Sequence, residues 1–268
     1  MAKGSKAQRR AQSQAAEKAA AMRREQERKD RRRKSALTAA AAVVVLVLVG
    51  GVAALVVANR DSSGGGSDAT APAGAVSMSG GPADAQAGRF AVPWGQANAP
   101  VKVTVYEDFL CPFCRNFETA STPVLTDYVE NGDVEVEYRP LNFLARAGEY
   151  SLLAGNAYAV VLDAEGPDVA KDFHDRLFAT QPSESGPFPD ESDLVDTAVA
   201  AGADRDAVEG GITGGDFEDW VEEGTAAASE EGVDGTPTVF VDGERIDPSS
   251  EADLIQQLQD KIEAGLQG

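Results

Sequence analysis

The only two cysteines of this 268-residue chain, Cys111 and Cys114, lie at the boundary between two stretches with different apolar periodicity. Before them, residues 101–106 alternate β-branched side chains with others, which predicts a β-strand. After them, apolar residues recur at near-helical spacing, although Pro123 predicts a kink in this helix or its division into two. A strand that leads directly into a helix, with both cysteines at the junction, predicts an α/β fold for the globular part of the chain.

The spacing of the two cysteines favours thiol chemistry. Cys111 would stand at the helix N-terminus, where unpaired N–H groups and the helix dipole stabilise an anion and lower the pKa of the thiol. Cys114 would lie one turn deeper, where its thiol could attack a mixed disulfide formed at Cys111. Pro112 suits the first helical turn because it lacks an N–H group. We therefore predict an exposed nucleophile, Cys111, a resolving thiol, Cys114, and a surface contact for client proteins at Phe113.

Two other interpretations of the cysteines are weaker. A purely structural disulfide would close a very short loop, so its entropic contribution to stability would be small. A zinc site needs four ligands, usually Cys and His, whereas the chain offers two cysteines and one histidine. We therefore predict no metal, and no motif indicates an organic cofactor.

The two acidic residues before the motif have two interpretations. Glu107 and Asp108 could accept the proton of the buried thiol, or they could be exposed acids at the junction of strand and loop. His174, the only histidine, has no second histidine or nucleophile motif beside it, so we interpret it as structural. Trp94 and Trp220 are interpreted as packing residues.

The rest of the globular part alternates between strands and helices. A second strand is predicted at 134–138, and no segment between 146 and 231 has the pattern of a strand. Helices are predicted within that region at 151–162, 169–178, 194–201 and 217–229. Strands resume at 238–241, with a short return after a turn at Asp242–Gly243, and Ser249 or Ser250 could cap a final helix.

The charges are distributed unevenly along the chain. Residues 1–34 carry 13 Lys/Arg and 4 Asp/Glu, a net charge of +9. Because the whole chain has a net charge of −20, the residues after 34 carry a net charge of −29. A domain that acidic repels phosphate, which excludes nucleic acid as a partner. The basic segment is predicted to be a solvated cytoplasmic tail, with binding to anionic lipid as the alternative. Residues 60–88, rich in Gly, Ser, Ala and Pro, are predicted to be a flexible linker to a domain at 89–268.

An uncharged apolar stretch precedes that linker. The 23 residues from Ala36 to Ala58 would form a helix about 34 Å long, enough to cross a hydrocarbon core of about 30 Å. We predict a transmembrane helix at 35–59 that anchors the protein in membrane lipid. The basic residues 31–34 predict a cytoplasmic N-terminus and an extracytoplasmic catalytic domain. The alternative is a cleaved signal peptide, whose apolar region is usually only about 7–15 residues long.

The chain resembles the thioredoxin superfamily in its strand, CPFC motif and following helix, and in the later segment GTPTVFV at 235–241. The helical region at about 146–231 resembles the insertion of its DsbA-like branch, and the apolar segment resembles the anchor of a membrane-bound bacterial form. The resemblance implies a cis peptide bond before Pro237, opposite the cysteines, and a backbone at Thr236 that binds clients. It also implies cysteine-containing secreted or membrane proteins as clients, and a membrane quinone-linked partner that reoxidises the enzyme.

One position departs from the strongly oxidising relatives. They carry histidine next to the second cysteine, where this chain has Phe113, which adds no positive charge and donates no hydrogen bond. We therefore predict a pKa for Cys111 that is less depressed than in those relatives. The expected function is an extracytoplasmic oxidase. A reductase or isomerase with the same fold, or an anchored binding or chaperone module without redox chemistry, remain as alternatives.

Overall fold

A five-stranded mixed β-sheet forms the centre of the region that the computed structural model describes, residues 69–77 and 89–268. The strands are β1 (Val92–Gly95), β2 (Val101–Glu107), β3 (Val134–Pro140), β4 (Thr238–Val241) and β5 (Glu244–Arg245). Their order across the sheet is β1-β3-β2-β4-β5, with β2 and β3 parallel and the other neighbours antiparallel. The sequence predicts all of these strands except β1, a four-residue strand that contains a proline.

Alternation along β2 determines which side chains reach the main core. Successive side chains of a strand point to opposite faces, so Val103, Val105 and Glu107 share one face and Tyr106 points to the other. Val105 lies opposite Tyr138 of β3, and all five of these side chains are buried. A carboxylate, Glu107, therefore occupies the last core-facing position of the strand that leads to the cysteines.

Helices cover the sheet and fill the connection between β3 and β4. They are α1 (Pro112–Glu130), α2 (Tyr150–Glu165), α3 (Pro167–Ala179), α4 (Glu191–Ala200), α5 (Arg205–Gly214), α6 (Glu218–Glu230) and α7 (Glu251–Gly265). Helices α2 to α6 form the helical insertion, and its residues contribute no strand to the described sheet. The predicted order, β-α-β followed by a helical block and then β-β-α, is confirmed.

The sequence pattern misses α5, because its glycines disfavour a helix. Asp204 caps this helix by accepting a hydrogen bond from the N–H of Asp206, and Val208 and Ile212, four residues apart, are buried. A Cβ atom at Gly211 would lie 3.1 Å from the side chain of Val160, so this glycine allows α5 to pack closely against α2. Tertiary packing therefore outweighs the weak helix propensity of this segment.

Helix α1 carries the second cysteine into the core. It begins at Pro112 and continues without interruption through Pro123, so the predicted division into two helices is wrong. Pro123 is exposed, whereas Ser121 and Leu125 on either side of it are fully buried. Packing of the buried face holds the helix together, although Pro123 cannot donate the N–H hydrogen bond of its turn.

The described residues before β1 differ from the sequence prediction. Residues 69–77 fall in the predicted flexible linker, yet Ala75 is buried and Val76 forms a β-bridge with Ala91. The Arg89 side chain donates hydrogen bonds to carbonyl oxygens of this segment, including that of Ala75 at 2.8 Å. The predicted basic tail and transmembrane helix lie outside the described residues. Within 69–77 and 89–268, no helix combines the length and apolarity needed to cross a membrane.

Candidate active site

The two cysteines lie where β2 ends and α1 begins. Cys111 is the N-cap residue of α1, and its carbonyl accepts the first helical hydrogen bond, from the N–H of Arg115 at 3.2 Å. Cys114, one turn further along, is fully buried, which agrees with its predicted position deeper in the helix. Cys111 is itself buried, with 6% of its surface accessible, so the prediction of an exposed cysteine is wrong. A partner can therefore reach its sulfur atom only through a cleft in the surface that is lined by Cys111 and is described below.

The environment of the pair separates the acidities of the two thiols. A hydrogen bond from the Cys114 thiol lowers the pKa of Cys111 to about 6, against the opposing effect of burial, and the N–H groups of Cys114 and Phe113 contribute to the lowering. Burial raises the pKa of Cys114 well above its ordinary value, and the negative charges of Cys111 and Glu107 raise it further. These opposite pKa shifts favour a thiolate at Cys111 and a protonated thiol at Cys114 near neutral pH.

The segment before β4 lies directly against Cys111. The Thr236–Pro237 peptide bond is cis, as the resemblance implies. The carbonyl oxygen of Thr236 lies 3.4 Å from the Cys111 sulfur atom. These residues are 125 positions apart in the chain, and the antiparallel pairing of β2 with β4 brings them together.

Two clefts adjoin the motif, and Thr236 contributes to the lining of both. The larger, about 640 Å³, is lined by Cys111, Thr236 and the segments around Phe143 and Asp234. The smaller, about 250 Å³, is lined by Phe117, Pro237, Leu254 and the segment 248–251. Phe113 lines both clefts and is 69% exposed, which confirms its predicted position at the surface.

The acidic residues Glu107 and Asp108 are both fully buried, so their interpretation as exposed acids is wrong. Asp108 accepts hydrogen bonds from the N–H groups of Leu110 at 2.8 Å and Leu144 at 2.9 Å, and from the Ser151 hydroxyl at 2.6 Å. Burial raises the pKa of Asp108, and these hydrogen bonds oppose the increase. Asp108 therefore fixes the loop that precedes the cysteines.

Glu107 belongs to a buried cluster of charged side chains. The cluster includes His174, for which the sequence predicts a structural role. The Nε2 atom of His174 lies 2.8 Å from Glu107 Oε1, and its Nδ1 atom lies 3.1 Å from Asp175 Oδ1. Burial alone would lower the pKa of His174, but the charge of Glu107 and hydrogen bonds to Asp175 and Glu107 raise it to about 9. The histidine is therefore an imidazolium at neutral pH, buried between two carboxylates.

Glu118 of α1 completes this cluster. Burial raises its pKa to about 8, while the charge of His174 opposes the increase. The Tyr138 hydroxyl lies 3.4 Å from Glu118 Oε2. Glu107 Oε2 and Glu118 Oε1 are buried and have no hydrogen-bond partner among the described residues. A proton at Glu118 lowers the net negative charge that the core must accommodate.

The same cluster offers three candidate metal ligands. One ligand atom each of Glu107, Glu118 and His174 lie within 4.8 Å of one another. Hydrogen bonds already engage both ring nitrogens of His174, and structural zinc needs a fourth ligand. We therefore interpret the group as a hydrogen-bonded charge cluster.

The contacts of Gln181, just after α3, were also not predicted from the sequence. Its side-chain amide donates hydrogen bonds to the carbonyl oxygens of Phe109 at 3.0 Å and Cys111 at 2.9 Å. The helical insertion thereby holds the loop that carries the nucleophile. A glutamine in a loop has no distinctive pattern, and this contact joins residues 70 positions apart.

The contribution of Phe113 to the acidity of Cys111 can be tested directly. We expect the Cys111 thiol of the reduced protein to titrate with a pKa of about 6. In Phe113→His, a nearby imidazolium would favour the thiolate and lower this pKa further, by about one pH unit. The measurement is the pH dependence of alkylation rate and of thiolate absorbance. Phe113→Asn, polar but uncharged, is the control, and an unchanged pKa in the histidine variant would contradict the role given to residue 113.

A chain that joins this sheet, this helical insertion and a Cys-Pro-Phe-Cys pair facing a cis-proline is a DsbA-like protein dithiol–disulfide oxidoreductase. A family model described as Thioredoxin matches residues 91–260, and the chain belongs to that family. Comparisons with curated proteins and solved structures agree with both statements.

The relatives are bacterial proteins of modest sequence identity. Disulfide bond formation protein D of Bacillus subtilis is 25% identical over 169 residues, covering 62% of this chain and 74% of that protein. Oxidised BdbD from Bacillus subtilis superposes with a TM-score of 0.60 at 26% identity, covering 72% of this chain and all of that one. Reduced DsbA from Mycobacterium tuberculosis gives a TM-score of 0.56 at 27% identity, covering 66% and 98%. The predicted thioredoxin-like fold and DsbA-like class are confirmed.

Proposed function

We propose that the protein is an extracytoplasmic oxidase that transfers the Cys111–Cys114 disulfide to cysteine-containing secreted or membrane proteins. The observation that carries this proposal is the asymmetry of the pair. Cys111, with its low pKa, lines an open cleft, whereas Cys114 is buried and keeps its proton. A low pKa at Cys111 stabilises the reduced form and so makes the disulfide a stronger oxidant. The name of the Bacillus subtilis relative, disulfide bond formation protein D, supports the same direction.

Transfer begins when a client thiolate attacks the sulfur atom of Cys111. A client–Cys111 disulfide forms and the Cys111–Cys114 bond breaks, leaving a thiolate at Cys114. The Cys114 thiolate takes up a proton from solvent, and we assign Glu107, whose Oε2 atom is buried without a hydrogen-bond partner among the described residues, to accept that proton again when the pair is reoxidised. Asp108 is less suited to this role, because three donors engage its oxygen atoms. A second client thiolate then attacks the mixed disulfide and releases the oxidised client.

Binding of the client is assigned to the residues around Cys111. The backbone of Thr236 and Pro237 lies against the sulfur atom, Pro112 begins the helix, and the exposed ring of Phe113 offers an apolar contact between the two clefts. An unfolded client that presents its cysteine in an extended segment fits such a surface.

The location and the reoxidation step complete the proposal. The apolar segment 35–59 would anchor the protein in the cell membrane, with the basic tail in the cytoplasm and the catalytic domain outside. Disulfides persist in such an oxidising compartment. A membrane quinone-linked partner would restore the Cys111–Cys114 disulfide after each cycle.

A single assay decides the direction of the reaction. We expect the purified, oxidised protein to introduce a disulfide into a reduced, unfolded client that contains two cysteines. One client disulfide should form for each Cys111–Cys114 disulfide that is lost, because two electrons pass between the pairs. The measurement is quantification of free thiols in both proteins after an acid quench. If the reduced protein instead reduces client disulfides and the oxidised protein leaves thiols unchanged, the oxidase proposal fails in favour of a reductase.

A further inference from the structure

Acidic side chains border both clefts beside the nucleophile. Glu184 and Asp234 line the larger cleft together with Cys111, and Glu251 lines the smaller one. All three acidic residues are exposed. Among the described residues that line the two clefts, none is lysine or arginine. A client segment that occupies both clefts therefore lies beside these three carboxylates.

Arg245 and Arg115 do not cancel this charge. Arg245 lies 3.6 Å from Asp234 Oδ1, but its guanidinium group also lies 3.5 Å from Asp247 and is therefore shared between two carboxylates. The Asp234 side chain remains 89% exposed. Arg115 follows Cys111 by one helical turn but lines neither cleft. The rim of the clefts thus keeps a net negative charge.

We propose that the acidic rim formed by Glu184, Asp234 and Glu251 selects client segments that carry lysine or arginine next to the reacting cysteine. This inference rests on the proposed function, since it names the class of client that the same site prefers. Opposite charges across an interface raise the rate of encounter and fix the orientation of the partner. The charge of −29 carried by the chain after residue 34 acts in the same direction at longer range.

The chemical step itself does not depend on the charge of the client. A peptide with one cysteine loses a proton and attacks the Cys111 sulfur atom, breaking the Cys111–Cys114 bond. A second peptide thiolate attacks the resulting mixed disulfide. Two peptide thiols are thus oxidised to one disulfide, and the protein disulfide is reduced to a thiolate at Cys111 and a thiol at Cys114; of the two protons that the peptides release, one is taken up by Cys114 and the other passes to solvent. The acidic rim changes how often the peptide thiolate reaches the sulfur atom.

Two peptides of equal length test this preference. In one, the single cysteine is flanked by lysines, and in the other by glutamates. At low ionic strength we expect the oxidised protein to react about tenfold faster with the lysine peptide, after correction for the thiolate fraction of each peptide. At about 1 M salt, where charges are screened beyond about 3 Å, the ratio should fall to within about twofold. The readout is the rate of loss of the Cys111–Cys114 disulfide.

Matched variants distinguish the rim from the overall charge. In the double variant Glu184→Gln/Asp234→Asn, we expect the ratio of the two rates to fall about threefold, since each exposed charge contributes modestly. The control is Asp127→Asn/Asp168→Asn, which removes the same charge from exposed sites. Asp127 lies 16 residues after Cys111, about 24 Å along α1, and Asp168 lies at the end of α3 away from Gln181. The control should keep the wild-type ratio.

Each outcome decides a different question. Equal rates for the two peptides at low salt would overturn the inference and leave the proposed function intact. An equal drop of the ratio in both double variants would also overturn it, because overall charge rather than the rim would then set the preference. A disulfide that neither peptide reduces, while small thiols such as dithiothreitol do reduce it, would contradict the proposed function itself.

Discussion

Cys111→Ser is expected to abolish disulfide exchange, whereas Cys114→Ser is expected to stop it at the mixed disulfide. A serine hydroxyl can neither form a disulfide nor accept one from a client, so the rate should fall to the uncatalysed level, a loss of roughly a thousandfold or more. In Cys114→Ser the Cys111 thiol remains at the cleft, and the serine hydroxyl can still donate the hydrogen bond that lowers the pKa of Cys111. The Cys111 thiolate can therefore still attack the disulfide of an oxidised client, which breaks that disulfide and forms a client–Cys111 disulfide, but no Cys114 thiol is present to resolve it.

Two assays separate these outcomes. The first is oxidation of a reduced client by each protein after treatment with an oxidant. The second starts from an oxidised client with one disulfide and follows accumulation of a covalent client–protein adduct, seen on non-reducing gels and removed by a reductant. Cys114→Ser should accumulate the adduct and Cys111→Ser should form none. Cys114→Ala, which also removes the hydrogen-bond donor, should form the adduct more slowly at pH values below the ordinary thiol pKa. An adduct at Cys114 in the Cys111→Ser protein would contradict the assigned order of attack.

The sequence predicts the features of the site that depend on local patterns. Alternation in residues 101–106 locates β2, and the proline after Cys111 locates the start of α1. These two elements already place Cys111 at the start of the helix and Cys114 one turn deeper, toward the core. The partnership of Cys111 with Thr236 follows from the family resemblance, because no local pattern joins residues so far apart.

The buried charge cluster shows where local patterns fail. Glu107 and His174 are 67 positions apart, and they meet only because α3 packs over the end of β2. One signal was present, since His174 continues the buried stripe of α3 at Ala170, Phe173 and Leu177, with i, i+3, i+4 and i+7 spacing. This spacing predicts a buried histidine, and a buried histidine needs a partner. The spacing does not identify that partner as Glu107.

The second large effect is expected in the stability of the fold. His174→Leu should lower the free energy of unfolding by about 3–5 kcal/mol, because it leaves the buried carboxylate of Glu107 without its partner. The ring of His174 also packs 4.3 Å from the centre of the Tyr138 ring, so part of the loss is in packing. Urea denaturation of the oxidised protein measures the change. Phe178→Leu is the control, since it shortens another aromatic residue of α3 that contacts His174 but removes no charge, and it should cost only about 1 kcal/mol.

A double-mutant cycle separates the charge from the packing. Replacing both members of a buried ion pair with apolar residues of similar size is often close to neutral. We therefore expect His174→Leu/Glu107→Leu to be more stable than His174→Leu alone by about 1–3 kcal/mol. Glu107→Leu should give no such rescue to Phe178→Leu. If the effects of His174→Leu and Glu107→Leu simply add, the ion pair contributes little to stability.

The pH dependence of stability provides a readout that a packing role would not change. The pKa of His174 is raised to about 9 in the folded protein, above its ordinary value of 6.5. Its contribution is therefore fully present below pH 6.5 and is lost as the pH rises through 9, by roughly 3 kcal/mol. Glu118, with its pKa raised to about 8, acts in the same direction from pH 4.5 upward. In the oxidised protein, where the cysteines do not titrate, wild-type stability should fall steeply between pH 6.5 and 9. The slope of His174→Leu should be shallower, because only Glu118 of these two groups still contributes. Parallel curves for the two proteins would show that His174 is uncharged in the folded state.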